Sequence, residues 1–191
     1  MKIALPKKPK LKKPKREQGN VVEMPATRYF SDIEAFSEAV GKDFIAAANK
    51  MLSRGDLFFV GLSHGRSPAG AYAYILENYD ELIHPENMRY TFVNSPSQRQ
   101  KSVNDVLDAR AFVKKLFRAG QIVKEQVIGH DFNSQSISEY AVLFNKQVQD
   151  FLTENKKTGL DYAFLATTPT GMVAAIDRDA AIFESKKLRS W

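Results

Sequence analysis

The run Leu57-Phe-Phe-Val-Gly-Leu62 carries no polar side chain, and it breaks off at once into Ser63-His-Gly-Arg-Ser-Pro68. A half-buried strand alternates apolar and polar residues. A run with no polar set has no face to give to water and fits a strand covered on both sides, as in a parallel sheet between layers of helices. This one stretch demands helices on either side of it in the chain.

Those helices are legible. Ser31-Asp-Ile-Glu34 has the form of a capping box, and Ile33, Phe36, Val40, Phe44, Ala47, Ala48 and Met51 follow at helical spacing, predicting a helix that ends near Arg54-Gly55. Beyond the polar loop, Ala69 to Tyr79 predicts a second helix, with Ala71, Tyr74, Ile75 and Tyr79 loosely on one side. After the turn at His84-Pro-Glu-Asn87, Met88 to Val93 predicts a strand, Asn94 to Ser102 a polar loop, and Asn104 to Phe117 a helix carrying Val106, Leu107, Ala111, Val113 and Leu116. Gln121 to Ile128 predicts a short strand, Ser136 to Thr153 a long helix, and Tyr162 to Ala166 a last buried strand. Helix and strand alternate throughout, which predicts an α/β three-layer sandwich with a mostly parallel sheet. The aromatics Phe58, Phe59, Tyr90, Phe92 and Phe164 fall in these strands and are expected in the core rather than as base-stacking platforms. No internal repeat is present, and residues 27–191 read as a single domain.

Charge separates that domain from what precedes it. Of 28 Lys and Arg and 22 Asp and Glu, residues 1–18 hold eight bases and one acid, which leaves 20 against 21 for the remainder. Lys7, Lys8, Lys10, Lys12, Lys13, Lys15 and Arg16 alternate with prolines, so residues 1–26 are expected to form an extended basic arm. Such an arm suits a nucleic acid, a ribonucleoprotein or another acidic partner reached through residues 2–16, an acidic membrane surface, or a nuclear-import address; a solvated tail is the plain alternative. With no cysteine, the chain has no disulfide framework, thiolate zinc site or thiol nucleophile. No apolar run approaches the roughly 18 residues of a membrane span, and no secretory signal opens the chain, so a cytoplasmic setting is expected.

In open parallel sheets ligands gather where the loops leave the carboxyl ends of the strands. Three loops qualify: Ser63 to Pro68, Asn94 to Ser102, and Thr167 to Gly171. In the first, Gly65 permits a tight turn before a helix N-terminus, Ser63 and Ser67 add hydroxyl donors, and His64 and Arg66 add positive charge, a set suited to a phosphate. The same Ser and Gly also serve an ordinary strand-to-helix turn. His64 is expected to contact phosphate or solvent rather than to act on a substrate, His84 to be solvated in its turn, and His130-Asp131 is too slight a pattern to define a dyad. No metal-ligand spacing is present, and no cofactor is expected.

Ser63-x-Gly65-x-Ser67-Pro68 after a buried strand and, later, the stretch Asp161 to Ile176 resemble in order two motifs of the 6-phosphogluconolactonases and glucosamine-6-phosphate deaminases. Ser63-x-Gly65-x-Ser67-Pro68 is similar to the family's Ser-Gly-Gly-Ser-Thr-Pro phosphate loop, and Asp161-Tyr-Ala-Phe-Leu-Ala-Thr-Thr-Pro-Thr-Gly171-Met-Val-Ala-Ala-Ile176 to its Asp, apolar strand and Gly-x-Gly-x-Asp-Gly-His-x-Ala. Between them Phe92-Val-Asn94-Ser95 stands where the family has a strand ending in Asp-Glu, and Asn104 and Arg110 fall near its downstream Asn and Arg. The likeness spans about residues 27–185 and implies the ribose-5-phosphate isomerase and glucosamine-6-phosphate deaminase type of fold. It also implies a small phosphorylated sugar as ligand, with phosphate on Ser63, His64, Gly65, Arg66 and Ser67. Asn94, Ser95, Thr168, Thr170, Gly171 and Met172 would line the pocket. The departures are specific: Met172 replaces the family's His, Thr170 its Asp, and Asn94 and Ser95 its carboxylate pair, and none of these is a base near neutral pH. No catalytic residue is assigned, and turnover is expected to be weak or lost. Family members also continue past the point matching Trp191, so the pocket is expected either to stay open on one side or to be completed by a partner.

Overall fold

The computed structural model describes residues 28–93, 109–129 and 137–166. Helix α1 (Ile33–Leu52) is capped by Asp32, whose carboxylate accepts the Ala35 N–H at 2.7 Å, while the Ser31 hydroxyl donates to the same carboxylate at 2.6 Å. The cap therefore lies one residue beyond the expected Ser31-Glu34 box. A charged carboxylate is the better acceptor at the positive end of a helix, and these two bonds hold the Asp32 carboxyl below its ordinary range.

Strand β1 (Phe58–Leu62) is the middle of a parallel sheet. It pairs with β2 (Met88–Phe92) from Phe58 opposite Met88 to Leu62 opposite Phe92, and with the short β3 (Tyr162–Ala163) through Val60–Tyr162 and Gly61–Ala163. All five residues of β1 are buried, as the unbroken apolar run requires. Helix α2 (Arg66–Glu77) begins three residues earlier than expected. Pro68 is harmless there, because the first-turn N–H groups of a helix have no acceptor within it.

One face of the sheet, with Phe58, Val60, Leu62, Met88, Tyr90 and Phe92, packs under α1, α2 and α3 (Ala109–Arg118). Phe44 of α1 meets Phe58 at 5.9 Å, Tyr72 of α2 stacks on Phe112 of α3 at 4.8 Å, and Tyr72 meets Phe164 at 5.1 Å. The opposite face carries Phe59, which packs on Phe151 of α4 (Ile137–Glu154) at 4.6 Å. The sandwich thus has three layers. A chain returning from the far side of β2 to pair on the other edge of β1 keeps a right-handed crossover only by passing its helix over this opposite face.

The expected strand at Gln121 to Ile128 is absent. Gln126 instead folds Lys124–Gln126 into a 3-10 turn: its side-chain oxygen accepts the Val123 N–H at 2.9 Å, and its amide donates to the carbonyls of Pro85 and Met88 at 2.8 and 3.2 Å. A single parallel bridge, Tyr90 to Val127, survives of the expected ladder. Strand β3 is also shorter than Tyr162 to Ala166, although Phe164 still donates to the Gly61 carbonyl at 2.9 Å. Asp161 sets its register. Its N–H donates to the Phe59 carbonyl at 2.8 Å, its carboxylate accepts the Phe59 N–H at 2.7 Å, and Lys157 holds that carboxylate at 2.6 Å.

Two phenols meet in the core, Tyr79 and Tyr90, with hydroxyls 3.2 Å apart. Burial pushes both above their ordinary pKa near 10, Tyr90 most strongly, and does the same to Tyr72. A pKa raised on folding gives stability that is fully present below the unfolded value and lost as pH rises through the folded one. The urea midpoint is therefore expected to hold up to about pH 10 and to fall above it. A midpoint unchanged well into that alkaline range would contradict the burial of these phenols.

Candidate functional site

The carboxyl ends of the three strands converge on Ser63. Its side chain is fully buried, its hydroxyl donating to the His64 carbonyl and accepting the Ala166 N–H, each at 3.2 Å. Its carbonyl accepts the Tyr72 hydroxyl at 2.8 Å, and Tyr72 is held as a neutral donor by its own burial. Ser63 thus acts as a staple between the loop after β1 and the chain leaving β3. Tyr72 thus ties the loop to α2, and its place in the helix after the loop is its one signal in the sequence.

Gly65 is the N-cap of α2, with φ 140° and ψ 174°, a region that is essentially glycine's alone. A Cβ on it would lie 3.0 Å from the Cβ of Ala166. Among the described residues no side chain caps this helix start, and its first turn contains no acid. The N–H groups of Arg66 and Ser67 are therefore orphan donors of the first turn, with Pro68 contributing none. His64 and Ser67 are half-buried beside them. Chemically, uncapped donors at the positive end of a helix of 12 residues favour an oxyanion.

The stems of the other two loops arrive at the same end. Val93 donates to the Leu62 carbonyl at 3.0 Å, and Ala166 is bonded to Ser63. Asn94 and Ser95 follow the first stem directly, and Thr168, Thr170, Gly171 and Met172 follow the second; all six lie outside the described residues, as do Asn104, His130 and the basic arm with Lys7, Lys8, Lys10, Lys12, Lys13, Lys15 and Arg16. His84 is exposed and paired with Glu86 at 3.1 Å, far from this end of the sheet.

A depression of about 440 Å³ lies between Lys124–Gly129 and α4, lined by Gln147, Asp150, Phe151 and Glu154. None of residues 63–67 lines it, and its acids, with Glu125, would repel an anion.

Solved structures share this fold. One is the 6-phosphogluconolactonase from Plasmodium vivax, 20% identical, with a TM-score of 0.61 over 75% of this chain and 48% of the other. The fold is that of the 6-phosphogluconolactonases. The second, the 6-phosphogluconolactonase from Thermotoga maritima, is 18% identical, with a TM-score of 0.55 over 74% of this chain and 60% of the other. This chain spans about half the length of the first lactonase and three fifths of the second. No family model matches the sequence, and no curated protein matches it. Within the lactonase fold, the loop from Ser63 to Ser67 stands at the carboxyl edge of the central strand, between the stems of the two other loops. Among the described residues no helix is long and apolar enough to cross a membrane.

Proposed function

We propose that the chain binds a small phosphorylated sugar, its phosphate resting on the N-terminus of α2, and that it turns such a ligand over weakly or not at all. The observation that carries this reading is the uncapped start of α2 at Gly65, in a lactonase fold and at the carboxyl end of the sheet. In this reading the backbone donors of Arg66 and Ser67 and the Ser67 hydroxyl meet the phosphate, His64 and Arg66 supply charge, and Ser63 acts from beneath by fixing the loop. The sugar would extend toward Asn94, Ser95, Thr168, Thr170, Gly171 and Met172. Loss of turnover rests on the sequence, because none of Asn94, Ser95, Thr170 and Met172 exchanges a proton near neutral pH.

Calorimetric titration with inorganic phosphate, 6-phosphogluconate and glucosamine 6-phosphate is expected to show binding by the two sugar phosphates that excess phosphate competes away. Assays with 6-phosphogluconolactone and glucosamine 6-phosphate are expected to fall short of a competent enzyme by about 10² to 10⁴, the usual worth of general acid-base catalysis. Absence of binding would remove the proposal. Full turnover would remove its second half and keep the first.

A further inference from the structure

Tyr72 lies six residues into α2, about 9 Å along the axis from Arg66, and helical side chains lean back toward the N-terminus. Its phenol reaches under the first turn of its own helix to the end of β1, where the hydroxyl donates to the Ser63 carbonyl at 2.8 Å. The ring is gripped from two sides: it stacks on Phe112 of α3 with planes 19° from parallel, and Phe164 meets it edge-on. Phe164 stands two residues before Ala166, whose N–H holds the Ser63 hydroxyl, and that hydroxyl in turn holds the His64 carbonyl. A peptide unit is planar, so a bond to its oxygen restrains the whole unit. Tyr72 restrains the unit between Ser63 and His64, and the Ser63 hydroxyl restrains the unit between His64 and Gly65. Both units that lead into the φ 140° turn at Gly65 are thus held from beneath. A phenylalanine would fill the same space between Phe112 and Phe164; what the hydroxyl adds is this single bond to the loop.

We infer that the Tyr72 hydroxyl is a positioning group for the phosphate cradle: by fixing the Ser63–His64 peptide it holds the Gly65 turn and the first donors of α2 in the binding conformation before a ligand arrives. The inference rests on the proposed sugar-phosphate site. Tyr72, only 4% exposed, is closed to a ligand itself and acts through the loop. Affinity falls in proportion to the fraction of molecules in which a binding loop is formed, so a loop held by one bond fewer binds more weakly without losing any contact to the ligand. The loss is bounded by the worth of one hydrogen bond, about tenfold.

The test compares Tyr72→Phe with Tyr79→Phe in the full chain. Each loses one buried phenol hydroxyl, but that of Tyr79 bonds to the Tyr90 hydroxyl and not to the loop. Urea denaturation is expected to show both variants destabilised. Calorimetry with 6-phosphogluconate is expected to show affinity reduced about three- to tenfold by Tyr72→Phe and unchanged by Tyr79→Phe. Without ligand, hydrogen exchange at the Ala166 amide, whose acceptor is the Ser63 hydroxyl, is expected to be faster in the Tyr72 variant alone. If Tyr72→Phe does not fold, Phe112→Leu keeps the hydroxyl but frees one side of its ring, and is expected to weaken binding about twofold. Wild-type affinity in Tyr72→Phe, or in Phe112→Leu where that variant replaces it, overturns the inference and leaves the proposed function standing. Equal losses in the Tyr72 and Tyr79 variants overturn it as well, because they mark general destabilisation. If the wild-type chain binds none of inorganic phosphate, 6-phosphogluconate and glucosamine 6-phosphate, the proposed function falls and takes the inference with it.

Discussion

Gly61→Val is expected to destabilise the fold by about 3 kcal/mol, the upper end of the usual cost of overpacking. Gly61 sits in the middle strand, on the face that looks toward α4, and a Cβ there would come within 2.5 Å of Val93 Cγ1 and 2.6 Å of Leu160 Cδ1. The backbone of β1 cannot retreat, because it is hydrogen-bonded to β2 on one side and β3 on the other. Leu160 is 38% exposed and can swing away at small cost, whereas Val93 is half-buried and stiff at χ1. Gly61→Ala is therefore expected to cost about 1 kcal/mol, with Leu160→Ala in that background recovering only part of it. Urea denaturation of the three variants measures this. A valine variant as stable as wild type would mean that the packing around β1 is looser than described.

The second large effect falls on ligand binding. Gly65→Ala is expected to cost about 1 to 3 kcal/mol of stability from backbone strain and, on the proposed function, to weaken sugar-phosphate affinity at least tenfold. Strain and crowding act together at Gly65, since relief of one pushes the new Cβ into Ala166. Gly55→Ala separates the two consequences. Gly55 also has a positive φ, 77°, but a Cβ there meets nothing within 4 Å, so it pays the left-handed penalty in open space. Its variant is expected to lose stability and keep its affinity, measured by melting and by calorimetry on the same samples. Equal affinity for both variants and wild type would place the phosphate elsewhere.

Much of the architecture follows from the pattern of apolar residues. The unbroken run at Leu57 to Leu62 identifies the central buried strand. Of the residues at helical spacing in α1, Phe44 and Ala48 are on its buried face while Ile33 is exposed, and Ser37, Gly41, Ile45 and Leu52 complete that face. What the pattern misses is set by single polar side chains reaching across sequence. Gln126 winds its segment into a turn by bonding to Pro85 and Met88, contacts that no local window of residues 121–128 contains. Asp32 takes the cap from Ser31 because its carboxylate is the better acceptor at the positive end of a helix, a preference that the Ser-x-x-Glu spacing does not express. At the site, the loop and its glycine are legible because φ and close approach demand glycine. The burial of Ser63 is not, because a serine at a loop reads the same whether its hydroxyl meets a ligand or the N–H of Ala166.

That bond between Ser63 and Ala166 closes a span of 103 residues, and the Asp161 clamp on Phe59 closes one of 102. A chain emerging from the ribosome makes the loop after β1 early and its support very late. Until β3 has been synthesised and has docked, the serine hydroxyl lacks the partner that fixes it, and the orphan donors of α2 face no organised surroundings. Contacts so distant along the chain form slowly, because loop closure must come before any reward. Competence to bind would therefore arrive last, and a nascent or truncated chain with the whole Ser63–Ser67 motif would still lack the site.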